Sequence, residues 1–208
     1  MKGYRKMYAG VYIFEGIDNV GKTTIIEELY RKIKDERDDN CIALAFPGHE
    51  PRTLGSLVYN IHHHIEDYFD KPVNEASLQL LHIAAHIDLI QRKLIPLSRN
   101  NYIVLLDRFW WSTYVYGLAG GVEEEIIQSI IVPELLFWRN IDIRKIYLLE
   151  RSVRSKYYDI KKETLIIKKY QEKAEKESKC IKISNNGNLE KVVSNIYNDI
   201  LGDYYYGV

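Results

Sequence analysis

A surplus of charge of either sign is what this sequence most plainly lacks: 29 lysines and arginines balance 29 aspartates and glutamates in 208 residues. Without a net field there is nothing to draw in nucleic acid or an anionic membrane, so neither is expected as a partner and basic side chains must act locally. Cysteine is nearly missing too. Cys41 and Cys180 each open a short apolar run, where a thiol serves as a small hydrophobe, and two such residues suggest neither a disulfide framework nor a zinc pattern. Nor is there an apolar run of the ~18 residues that would span a bilayer, or the apolar core of a secretion signal near the start. A cytoplasmic protein is therefore expected. No internal repeat or low-complexity linker divides the chain, whose length suits a single domain over residues 1–208 with a substantial core.

What is there is alternation. Short apolar runs at residues 11–14, 42–46, 102–106, 143–149 and 180–183 each lead into a stretch with helical spacing. Five strands with a helix after each predict an α/β fold: a five-stranded parallel sheet, helices on both faces and right-handed crossovers. Ligands of such sheets gather at the carboxyl ends of the strands, so functional residues should fall just after a strand.

The strongest candidate does. After the first run comes Gly16-Ile17-Asp18-Asn19-Val20-Gly21-Lys22-Thr23-Thr24, with the glycine, four residues, Gly-Lys-Thr spacing of a phosphate-binding loop. Glycine lets the backbone wrap a phosphate where a Cβ would intrude. The amides of the loop and of the helix that follows, from Gly16 and from Asn19 through Thr24, converge on one anion. Lys22 carries a mobile positive charge to the outer phosphates, and Thr23 offers its hydroxyl to a magnesium ion. The pattern predicts the P-loop NTPase fold and a polyphosphate as ligand.

The third run ends in Asp107, a carboxylate placed to hold magnesium or its water ligands beside that loop. Arg108 follows, and its guanidinium fork suits bidentate contact with a phosphate. The loop after the second run holds Arg52, a candidate for contact with an anionic substrate. His82 and His86 lie four apart, on one face of a long helical pattern over 72–95, and are candidates for a pocket wall. The consecutive His62, His63 and His64 point about 100° apart, so they cannot converge on a metal and read as a solvated helix end. The aromatic run 109–117 can stack on a base or sugar or fill core, with core expected for Trp110 and Trp111. The basic segment running from Arg151 past Arg154 to about residue 160 suits a lid over phosphates. Residues 184–187 form a polar loop able to touch an adenine ring.

Taken together, Phe14-Glu15-Gly16-Ile17-Asp18 through Lys22-Thr23-Thr24, Phe46-Pro47 through Thr53-Leu54-Gly55, Leu80-Leu81 through Ala84 and His86, and Asp107-Arg108-Phe109 through Ser112 and Tyr116 resemble thymidylate kinases. The resemblance runs over nearly the whole chain, and its phosphate loop and Asp-Arg pair are the specific parts. It implies a homodimeric nucleoside-monophosphate kinase that moves the γ-phosphoryl of magnesium-bound ATP to an acceptor monophosphate, dTMP foremost. It further implies that Asp18 stands near the acceptor sugar, that Arg108 grips the acceptor phosphate, and that Tyr116 lies against the deoxyribose, with Phe46, Pro47 and Ser112 in the same pocket. Because residues 17–20 include no basic side chain, the resemblance puts the catalytic arginines in the lid, at Arg151 and Arg154. His82 and His86 depart from the family, standing where it has a phenylalanine stacked on thymine and an arginine bonded to its carbonyl. Either His49 or Arg52 takes the place of an arginine in the loop after the second strand.

Two other readings share the phosphate loop. One is a deoxynucleoside kinase, which phosphorylates a hydroxyl and needs a base, for which Glu15 is the candidate. The other is a nucleotide-binding module without turnover, against which the intact Lys22, Asp107 and Arg108 argue.

Overall fold

The structure is a computed structural model that describes residues 9–37, 40–152 and 159–202. Strands β1 (Gly10–Glu15), β2 (Cys41–Ala45), β3 (Ile103–Asp107), β4 (Ile143–Glu150) and β5 (Cys180–Ser184) pair in parallel in the order β2-β3-β1-β4-β5. Each run identified from sequence is a strand, shifted by no more than one residue at either end. Between and after them lie the helices α1 (Lys22–Arg37), α2 (Leu54–His63), α3 (Glu75–Leu89), α4 (Ile95–Arg99), α5 (Trp110–Ala119), α6 (Glu124–Trp138), α7 (Ile160–Glu175) and α8 (Leu189–Gly202).

β1 is the central strand, and all six of its residues are buried. Side chains alternate across a strand, so Val11 and Ile13 enter a core shared with Ile83, Val104, Trp111 and Tyr170, while Tyr12 and Phe14 enter a second core with Ile25, Leu29, Val193 and Ile196. Helices α1 and α8 therefore cover one face and α3, α5, α6 and α7 the other. Each fully buried side chain of this size contributes about 1.5–3 kcal/mol, which is why a strand this apolar takes the middle of the sheet.

The long helical pattern expected over 72–95 begins later and ends later. Asn74 caps α3 by accepting the Ala76 N–H at 2.9 Å, which leaves Pro72 outside. At its far end the helix does not stop before Pro96. Residues Ile90–Leu94 open into a π-helical turn, with the Ile95 N–H bonded to Ile90 O, and α4 continues to Arg99. A proline donates no hydrogen bond and its ring crowds the carbonyl four residues back; widening the turn just before it relieves that conflict.

Register decides where function can sit. Phe14 is level with Asp107, Ala45 with Asp107, Glu15 with Leu148, and Glu150 with Ser184. The loops that leave all five strands thus share one rim of the sheet.

Candidate functional site

The glycine loop wraps from β1 into α1 at the middle of that rim. Gly16 has φ +138°, and a Cβ there would meet Leu149 O at 2.5 Å; Gly21 has φ +92°, and its Cβ would meet Asn185 Nδ2 at 2.6 Å. That amide donates to Val20 O at 2.6 Å, so the loop after β5 clamps the phosphate loop from behind. Lys22, 5% exposed, donates from Nζ to Gly16 O (3.0 Å) and Ile17 O (2.8 Å), folding its ammonium back across the loop that it serves. Burial, aided by the charge of Arg108, pushes that ammonium down to about 8. An anion bound in the loop favours the charged form. Nucleotide affinity should therefore be flat below about pH 8 and fall above it, by up to about tenfold per unit, because binding must then take up a proton. Calorimetry at about pH 8.5 in two buffers of different ionisation enthalpy reads that uptake directly; equal heats in the two buffers would contradict it.

Asp107, at the end of β3, accepts the Thr23 hydroxyl at Oδ2, 2.9 Å away. Its Oδ1 is the one buried side-chain nitrogen or oxygen without a hydrogen-bond partner among the described residues. An orphaned carboxylate oxygen beside a threonine hydroxyl is the donor set that a divalent cation on a nucleotide phosphate requires.

The next residue, Arg108, has φ +74° and donates its N–H to Phe14 O at 2.9 Å, a turn that aims its side chain back across the loop. Its guanidinium bonds Asp18 Oδ1 and, at 3.1 Å, Ser112 Oγ, with the Tyr116 ring 5.6 Å away. Burial opposes the charge on Asp18, but Arg108 and Lys22 outweigh it and hold the carboxyl below the usual aspartate range.

Behind Arg108 lies Glu15, wholly buried. Its Oε1 accepts the N–H groups of Phe109 (2.8 Å) and Ser112 (3.1 Å), and its Oε2 accepts the hydroxyls of Ser112 (2.9 Å) and Tyr170 (3.0 Å). It serves as the side-chain cap that Phe109, at the start of α5, cannot supply, accepting the Phe109 and Ser112 N–H groups. Burial pushes its carboxyl up, against the pull of Arg108. With every contact turned inward and no share in the cleft, Glu15 is not placed to take a proton from a bound hydroxyl, which corrects its candidacy as a base.

These parts border one cleft of about 720 Å³. Its floor is Asp18, Asn19, Gly21, Lys22, Thr23 and Thr24; one wall is Asp107, Arg108, Ser112 and Tyr116; the other is Phe46, Pro47, His49, His82 and His86, with Arg151 also on the lining. Gly16 and Val20 do not reach it. They back the loop, beside a separate 280 Å³ pocket that they share with Arg151, Ser152 and Asn186. Of the two candidates in the loop after β2, His49 lines the cleft, whereas Arg52 is exposed and does not. Arg154 lies outside the described residues. Most of the segment expected to form a lid, residues 153–158, lies outside the described residues; after it Asp159 caps α7, accepting the Lys161 N–H at 2.9 Å. In the polar loop after β5, Asn186 Oδ1 takes both the N–H and the hydroxyl of Ser152 at 2.7 Å.

Sequence reasoning missed part of the wall. His62 and His63, read as a solvated helix end, are exposed but face the cleft with Tyr59 and Gln79. His62 Nδ1 lies 3.0 Å from His82 Nε2, and Tyr59 packs between His49 and His63. The i, i+4 pair Tyr59 and His63 was the available signal. Trp111 is core as expected, but Trp110 is only partly buried, with the Lys173 ammonium 4.9 Å from its ring centre.

Comparison with known proteins finds relatives over most of the chain. The sequence profile of the family described as Thymidylate kinase matches residues 14–196. A thymidylate kinase of Acinetobacter baumannii is 27% identical over 139 residues, 62% of this chain and 66% of that protein; one from Chlorobium phaeobacteroides is 28% identical over 152 residues, 68% of this chain and 65% of that protein. The chain thus spans just under two thirds of the length of these curated relatives. Among solved structures, a thymidylate kinase from Ehrlichia chaffeensis superposes with a TM-score of 0.74 at 20% identity, covering 92% of this chain and 98% of the other. The enzyme of Candida albicans does so with 0.71 at 16% identity, covering 95% and 93%.

Proposed function

The chain belongs to the thymidylate kinase family, and from that premise we propose that it transfers the γ-phosphoryl group of ATP to a nucleoside monophosphate, dTMP foremost, to give the diphosphate. The observation that carries the reading is the pairing of two anion grips in one cleft, the glycine loop with Lys22 on one side and the Arg108 fork on the other. One cradles the donor polyphosphate and the other the acceptor phosphate, so the two meet nearly end to end.

The attacking atom is an ionised phosphate oxygen, so no general base is needed and catalysis reduces to alignment and charge neutralisation. Lys22 leaves its loop carbonyls for the outer phosphates. Arg108, braced by Ser112 and Asp18, orients the acceptor phosphate for in-line attack, and Tyr116 sits where the deoxyribose would lie. Arg151, on the cleft lining, would share the negative charge that spreads over the equatorial oxygens, with Arg154 as the second arginine of that role. Thr23 and Asp107 would hold magnesium, which would supply positive charge to offset the charge of the donor phosphates.

A single domain and a cytoplasmic setting fit this reading, and no helix among the described residues is long and apolar enough to cross a membrane. A homodimer fits as well. Leu57 on α2, Leu80 on α3, and Ile126, Val132 and Leu136 on α6 are exposed on neighbouring helices, apolar surface of the kind that a second copy would cover.

The test offers ATP with nucleosides and monophosphates separately and follows ADP release. Turnover with dTMP and none with thymidine is expected. Turnover with thymidine, or with neither, would contradict the proposal.

A further inference from the structure

Glycine lets the phosphate loop take its shape but does not orient it. Gly21 has no Cβ and accepts φ of either sign, so by itself it leaves the peptide between Val20 and Gly21 free to face either way. The two orientations offer the cleft opposite things. A trans peptide is planar, with its C=O and N–H pointing in opposite directions, so one orientation turns the Gly21 N–H toward a bound anion and the other turns Val20 O toward it. The first attracts a phosphate; the second sets a carbonyl oxygen against phosphate oxygens.

A side chain 165 positions away decides between them, because Asn185 Nδ2 donates to Val20 O at 2.6 Å. A carbonyl can only accept, so the nitrogen end of the side-chain amide is the end that faces it. This donor sits on a fixed base. Asn185 follows directly on β5, and its own backbone N–H is bonded to Glu150 O, at the end of β4, at 2.7 Å. Val20 is held as well, 2% exposed, with its side chain in the core that includes Ile25 and Leu29. On the far side of Gly21, its carbonyl accepts the Ile25 N–H of α1 at 3.1 Å. Both peptides that flank Gly21 are therefore pinned, and with Val20 O turned back to Asn185 the Gly21 N–H is left facing the cleft, which Gly21 lines and Val20 does not. The approach itself needs the glycine, since a Cβ there would stand 2.6 Å from Asn185 Nδ2.

We propose that Asn185 is a positioning residue for the donor phosphates: by holding Val20 O behind the loop, it keeps the Gly21 N–H aimed at the anion. It acts through the loop and touches no substrate. The inference rests on the glycine loop holding the polyphosphate of ATP. It gives Asn185 a task other than contact with an adenine ring, because a residue that aims a backbone amide serves any ligand with the same phosphates.

Inorganic tripolyphosphate, which has the phosphates and no base, separates the two tasks. Asn185→Ala should weaken ATP and tripolyphosphate alike, by about tenfold each, as for the loss of one charge-assisted hydrogen bond, while dTMP affinity stays within about twofold of the parent. A loss for ATP with none for tripolyphosphate would assign Asn185 to the base and overturn the inference. So would no loss for either, or an equal loss for dTMP, the mark of a rim disturbed as a whole. Asn185→Asp keeps the shape and puts an acceptor where the donor was, so it should bind tripolyphosphate no better than Asn185→Ala; binding equal to the parent's would overturn the inference. A measurement on the parent protein needs no variant to fold. With nitrogen-15 glycine, ADP should move the Gly21 amide proton downfield and couple its nitrogen to a phosphorus of the nucleotide across the hydrogen bond, and a Gly21 amide that ADP leaves unmoved would overturn the inference. Should neither ATP nor tripolyphosphate bind the parent protein, the phosphate-loop reading itself would fall and this inference with it, whereas parent binding without the stated losses removes the inference alone.

Discussion

Replacing Lys22 with alanine is expected to lower kcat by about 10³-fold or more, about 4 kcal/mol of transition-state stabilisation, while the fold survives. Both halves of that expectation come from the same geometry. Lys22 is the ammonium held inside the glycine loop, bonded to two loop carbonyls that it can exchange for phosphate oxygens. Its charge is held at a cost, since burial and Arg108 both press it towards neutrality. Removing it therefore takes away the charge that the transferring phosphoryl group meets and also relieves a desolvated cation, so stability should stay within about 1 kcal/mol of the parent. Denaturant unfolding and steady-state kinetics on the same preparation separate the two. A variant that loses activity only because it unfolds would count against the assignment, as would one of near-normal turnover.

The second large effect is expected at Arg108. Arg108→Lys keeps the charge and discards the fork. A lysine ammonium on a flexible stem cannot hold Ser112 and Asp18 at once and still present two parallel donors to a phosphate. The acceptor should suffer and the donor should not: kcat/KM for the monophosphate falls about 10²–10³-fold, whereas ATP affinity changes by less than about threefold. An equal loss for both substrates would mean that Arg108 serves the fold of the rim, not the acceptor.

Much of this was legible in the sequence because it is local. The glycine spacing, the strand before it and the helix after it are contiguous, and so are Ile103 to Asp107 and the arginine that follows. Parallel order then puts the ends of β1 and β3 side by side with Phe14 level with Asp107, so two motifs separated by 84 residues meet without any further information. What escaped depends on contacts between elements. Nothing in Glu15 as a letter says that it caps α5, whose N-cap residue, Phe109, has no side-chain acceptor of its own. Glu134 reads as an ordinary polar position in α6 until α3 brings His86 against it. Arg52 and His49 are three residues apart in one loop, and only the path of that loop decides which faces the cleft. The helix end at Pro96 was misplaced for a different reason: a π-helical turn absorbs a proline that a regular α-helix would reject.

The proposed phosphoryl transfer would require donor and acceptor phosphates to lie end to end between Lys22 and Arg108. Adenosine and thymidine joined through their 5′ carbons by a polyphosphate chain long enough to span both grips test this directly. If both are engaged, the compound should bind about 10²-fold or more tightly than ATP alone and compete with ATP and with dTMP alike. Binding no tighter than ATP, with competition against ATP only, would show that the two phosphates do not share this cleft.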